Sequence, residues 1–107
     1  MKKYRLENFT RGWVIGDFEP SLFKTKDFEL NISLEQKGDV GVKHIHKVAE
    51  EIIFVSSGKF KIGEEIFGTG DIIHISPGDI SGFECLESGN TTTIKIPCVK
   101  GDKYLVD

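Results

Sequence analysis

Cysteine, basic charge and long apolar runs are all scarce in this chain, and each shortage removes a class of protein. The two cysteines, Cys85 and Cys98, stand alone with no CxxC spacing, so neither a disulfide scaffold nor a zinc ribbon is implied. Both are expected to be reduced, partly buried thiols, in keeping with a cytoplasmic protein. Lysine and arginine number 14 against 17 aspartates and glutamates, a formal charge of −3. The basic stripe of a nucleic-acid binder is missing. Apolar residues make up 38% of the chain but are dispersed, and no run approaches the roughly 18 residues of a membrane helix. Met1-Lys2-Lys3 is followed by no apolar stretch, so a secretory signal is not expected. A length of 107 residues gives one domain, 1–107.

What the chain has in excess is glycine, 12 in all, and an apolar period of two. Many turns between short alternating runs mean strands. Phe28, Leu30, Ile32 and Leu34 alternate with polar neighbours across Asp27–Gln36, the signature of a half-buried strand. Further strands are expected over Gly12–Phe18, Val40–Lys47, Glu51–Ser56, Lys59–Ile62, Glu65–Phe67, Gly70–Ser76, Ser81–Leu86, Thr91–Cys98 and near Lys103–Val106. Gly63-Glu64 reads as a hairpin turn, and Glu87-Ser88-Gly89-Asn90 as another. Short strands at spacings near ten residues predict an all-β sandwich or barrel.

His44, His46 and Glu51 are the residues with metal-ligand chemistry. Two histidines two apart in a strand leave the same face, and Val40 and Val42 precede them on it. If the strand opened by Glu51 is a neighbour, its carboxylate converges on the imidazoles. Two imidazoles and one carboxylate form a facial triad, which suits Fe(II), with Zn, Mn, Ni or Co as alternatives. The structural alternative is two buried histidines using Glu51 as a hydrogen-bond partner. Nearby, His74 sits among isoleucines with its face undetermined. Ser81, Phe83 and Cys85 alternate onto one face and are further pocket candidates. Thr91, Thr93 and Lys95 share a face that is either a polar ligand wall or a solvent surface. Trp13, Phe18, Phe23 and Phe28 form either a core cluster or an aromatic patch for dimerisation or sugar stacking.

The segment from Gly38 through His44, His46 and Glu51 to Gly58 resembles the first motif of the cupins, G(X)5HXH(X)3–4E(X)6G, with every fixed position filled. The second motif, G(X)5PXG(X)2H(X)3N, is matched in part. Gly70 and Gly78 are in place, but Ser76 stands for its proline, Ser81 for its histidine and Cys85 for its asparagine. The resemblance covers about 28–96 and implies a double-stranded β-helix, a jelly-roll barrel with its site inside. It implies that His44, His46 and Glu51 hold a divalent transition metal (Fe, Ni, Mn, Zn or Co), without the third histidine usual in the family.

Three functions follow from that resemblance. One is a metal-binding cupin with isomerase- or epimerase-like chemistry on a carbohydrate-type metabolite, in sugar or surface-polysaccharide metabolism; a dioxygenase is a less favoured use of the triad. Another rests on likeness of His44-Ile45-His46-Lys47 to the nucleotide-sugar ketoisomerases, metal-free cupins with histidine as acid and base. Those carry arginine and glycine where Val42-Lys43 stand here, and no nucleotide-binding feature is evident. The third is a non-catalytic ligand-binding cupin. The expected partners are a small molecule, a sugar or sugar nucleotide, and a second copy of the chain in a homodimer.

Overall fold

The computed structural model describes residues 1–107, which form ten strands and one short 3-10 turn, Leu6–Asn8. The strands are β1 (Trp13–Ile15), β2 (Glu29–Glu35), β3 (His44–Ile45), β4 (Glu50–Val55), β5 (Lys59–Ile62), β6 (Glu65–Gly68), β7 (Ile72–Ile75), β8 (Phe83–Glu87), β9 (Gly89–Ile96) and β10 (Tyr104–Leu105). One sheet has the order β1-β2-β9-β4-β7, with every pair antiparallel. The order β6-β5-β8 makes a second sheet, and bridges Val40↔Glu84 and His44↔Ser81 run the β3-β10 pair on beside β8. Beyond the consecutive β1 and β2, neighbours in the large sheet are not consecutive in sequence, which is the crossed connectivity of a jelly roll. The fold is all-β.

Register assigns each residue of the large sheet to a face, because side chains alternate strictly. One row reads Trp13–Asn31–Thr93–Ile53–Ile73 and the next Glu29–Lys95–Glu51–Ile75. Both rows face the second sheet. At one end they close over an apolar core of Val55, Phe60, Ile73, Ile75 and Cys85, with Phe83 and Ile62 packed on it. Leu30, Ile94, Ile52 and His74 form a row on the outer face instead.

Two expected elements differ from what forms. Val40–Lys47 is not one strand: only His44–Ile45 pairs as such, and Val40 and Val42 are exposed rather than inward beside the histidines. The cause is local. Gly41 presses on the Phe83 ring so closely that a Cβ there would stand 2.6 Å from it, and the chain leaves the strand path at that point. The expected four-residue turn after Leu86 shrinks to Ser88, since β8 runs to Glu87 and β9 begins at Gly89.

Candidate metal centre

His44 and His46 reach the barrel interior from the β3 side, and Glu51 reaches it from β4 in the opposite sheet. The ligands therefore converge across the barrel, not from adjacent paired strands. One donor atom from each of the three lies within 4.8 Å of the other two. The imidazole rings meet edge to face with centroids 4.9 Å apart.

The polar atoms of this cluster lack the partners that burial demands. His46 is 2% exposed and Glu51 8%. Both ring nitrogens of His46, and Oε2 of Glu51, have no hydrogen bond. His46 Nδ1 does lie 3.2 Å from Glu51 Oε2, but without hydrogen-bond geometry. Buried polar atoms are nearly always satisfied, and an orphaned one costs on the order of 1–3 kcal/mol. One His46 nitrogen and Glu51 Oε2 can turn to a shared cation, which would supply the partner each lacks. Burial, with the nearby charges of Lys95 and His44, lowers the His46 pKa to about 4, so at neutral pH one ring nitrogen keeps a free lone pair. Burial pushes the Glu51 carboxyl up, an effect Lys95 and His44 partly offset. His44 has its tautomer set from outside: Nδ1 is 2.8 Å from the Val42 carbonyl and donates to it. That leaves Nε2 as acceptor. Two imidazoles and a carboxylate with unused lone pairs fit a divalent transition metal.

The loop joining the two ligands is held by a residue from the far end of the chain. Asp102, buried at 7% exposure, accepts hydrogen bonds from the backbone N–H groups of Lys47 (2.8 Å), Val48 (3.1 Å) and Ala49 (2.8 Å). Burial alone raises the Asp102 carboxyl, yet the N–H groups of Ala49, Lys47 and Val48 outweigh it and hold the pKa below 3.8. Gly78 N–H donates to the His46 carbonyl at 2.8 Å, so the partial second motif still supports the first through its backbone.

The remaining sequence candidates separate. Ser81 is buried and exchanges both backbone hydrogen bonds with His44, which puts the two side chains on one face. Phe83 lines the barrel cavity. Cys85 lies in the apolar core, its thiol pKa raised first by burial. His74 is on the outer face, 3.0 Å from Glu50. Neither Cys85 nor His74 replaces the missing third histidine: alternation carries His74 to the outer face, and Cys85, four residues beyond Ser81 on the same face, sits in the apolar core.

A cavity of about 250 Å3 opens beside the triad. His44 and Glu51 form part of its wall. Trp13, Asn31, Thr91, Thr93 and Lys95 form another, and Lys103 closes it. The threonine and lysine face of β9 is thus a cavity wall. Lys95 Nζ lies 5.0 Å from the Trp13 ring centroid, within cation–π range. Phe23, by contrast, is exposed. Trp13 and Lys95, each offered by the sequence with two readings, are placed at the site by strand order, which also brings in Lys103, a residue the sequence did not single out.

No family model and no curated protein matches the sequence. Solved structures do match. KdgF from Halomonas sp. is 22% identical over 68% of this chain and 72% of its own, with a TM-score of 0.64. An uncharacterized conserved protein with a double-stranded β-helix domain from Klebsiella pneumoniae is 20% identical over 80% of each chain, TM-score 0.68. A sugar phosphate isomerase from a cupin superfamily, from Silicibacter pomeroyi, is 18% identical over 65% of this chain and 50% of its own, TM-score 0.59. The fold is therefore the double-stranded β-helix of the cupins.

Proposed function

We propose that this small cupin binds a divalent transition metal through His44, His46 and Glu51 and takes a carbohydrate-type metabolite in the adjoining cavity. The observation that carries the reading is the group of three buried atoms without hydrogen bonds, on His46 and Glu51, beside the free Nε2 of His44. A metal held there supplies a Lewis acid for a carbonyl or hydroxyl oxygen. The chain supplies the rest. Asn31, Thr91 and Thr93 offer hydrogen bonds to hydroxyl groups, and Trp13 offers a flat apolar face. The cavity has room for one small metabolite. Isomerase- or epimerase-like proton movement next to a carbonyl is the chemistry this arrangement favours. The metal-free acid–base reading is disfavoured because it supplies no shared partner for the buried His46 nitrogen and Glu51 Oε2 that face each other.

The test is solvent deuterium exchange at the carbon next to the carbonyl, followed by NMR across aldoses, ketoses and their phosphates and acids. Exchange that disappears after chelation and in His46→Ala is the expected result. Ligand-induced thermal stabilisation without exchange identifies a binding module instead. A panel giving neither response would sink the carbohydrate reading.

The outer face of the large sheet supports a second proposal, a homodimer. Leu34, Ile72 and Ile96 are each more than two-fifths exposed there, and Ile52, Phe54 and Ile94 are only half-buried. Apolar residues gathered on an exposed sheet face, here interrupted by Thr92 and the His74–Glu50 pair, support an interaction surface.

A further inference from the structure

Lys95 and Lys103 are the lysines lining the cavity, and neither is held in a close ion pair. Lys95 lies in register between two carboxylates, Glu29 on β2 and Glu51 on β4, yet it is in no ion pair within 4.0 Å, and nor is Lys103. The nearby carboxylates make their hydrogen bonds to other, uncharged groups or face the triad. Glu29 Oε2 is 3.6 Å from the Cys98 thiol, Asp102 takes three backbone N–H groups, and Glu51 faces the triad. Glu35 lines the cavity too, but six residues from Glu29 on the same strand means roughly 20 Å away. Both lysines also border a second cavity of about 150 Å3 containing His46 and Asp102. They stand where the two spaces meet, beside the candidate metal.

We propose that Lys95 and Lys103 hold an anionic group of the ligand, so that the site selects a small polyhydroxylated anion, carboxylate or phosphate, over a neutral sugar. This rests on the metal-site reading above and narrows its substrate class. The physical reason is charge balance. A divalent metal more than neutralises Glu51, and the two ammonium groups then have only Glu29 and Asp102 nearby, neither of them paired with a lysine of the cavity within 4.0 Å. A lysine ammonium is a point charge that serves either oxyanion. A neutral ligand would cover the half-buried Lys95 without offering its charge a partner, while Lys103 stays solvated at the edge.

Calorimetric titration of the cobalt-loaded protein with glucose, glucuronate and glucose 6-phosphate tests this, alongside Lys95→Met and Lys103→Met. At least one anion is expected to bind tenfold or more tightly than glucose, about the contribution of one charge-assisted hydrogen bond. Which anion wins distinguishes a carboxylate ligand from a phosphate. Lys95→Met should lose about tenfold of that preference while its cobalt affinity changes less than threefold. The exposed Lys103→Met keeps the test open if Lys95→Met fails to fold. The proposal is overturned if glucose binds as well as the anions, if none of the three binds, or if the preference survives in both variants. Failure to bind cobalt would contradict the metal reading instead. The same titrations on metal-free protein, judged by the same outcomes, would then decide the lysine proposal.

Discussion

Asp102 organises the segment between His46 and Glu51 although neither the HxH spacing nor any neighbouring residue announces it. Its two oxygens receive the N–H groups of Lys47, Val48 and Ala49, and removing them would orphan three donors around a buried position. Asp102→Ala should therefore cost at least about 2 kcal/mol, and Asp102→Asn, which keeps one acceptor, less. Urea midpoints at pH 7 measure both. The pH sign follows from the depressed pKa of Asp102. Its stabilisation is present above the unfolded value near 3.8 and is lost as pH falls through the lower folded value. The acid limb of stability should accordingly be shallower in Asp102→Asn than in the parent. Equal limbs would contradict this assignment. His44, His46 and Glu51 were legible in the sequence because eight residues contain them all. Asp102 and Lys103 were not, and Lys95 and Trp13 were legible only with a bland alternative beside the site reading, which strand order decides.

At the scale of elements, period-two alternation located β2, β4 and β9 to within about two residues, because each has one face in the barrel and one outside. The same rule failed at Val40 and Val42. There the apolar residues belong to an edge that the Gly41–Phe83 contact turns outward, and exposure, not periodicity, decides their direction. The glycine that ends the first motif has a clear physical role. Gly58 has φ +89°, and a Cβ would stand 2.7 Å from the Glu87 carbonyl oxygen. The turn between β4 and β5 thus needs both a left-handed backbone and a close approach to the end of β8. Gly58→Ala should destabilise by about 1–3 kcal/mol, readable as a lower urea midpoint with an unchanged slope. A midpoint equal to the parent's would show that the turn relaxes freely.

Across the whole molecule, the two faces of the large sheet divide the work: the inner face carries the polar cavity and triad, and the outer face carries the apolar surface proposed to pair two copies. Ile72, 62% exposed, lies on that outer face, away from the cavity. Sedimentation velocity at micromolar concentration should show a dimer for the parent and a monomer for Ile72→Glu with its circular dichroism intact. A monomeric parent would contradict the pairing. Burial of Glu51 adds a dependence on pH for the molecule as a metal binder. Its carboxyl is held above the usual range, so metal uptake releases protons and affinity rises with pH until that group is ionised.

The most direct test of the account is elemental analysis of the untagged protein, purified without chelators and then reloaded. One iron, nickel, manganese, zinc or cobalt ion per chain is predicted, and it should be lost in His46→Ala while the variant remains folded. A parent that purifies without metal and takes up none of these ions at millimolar concentration would contradict the metal centre.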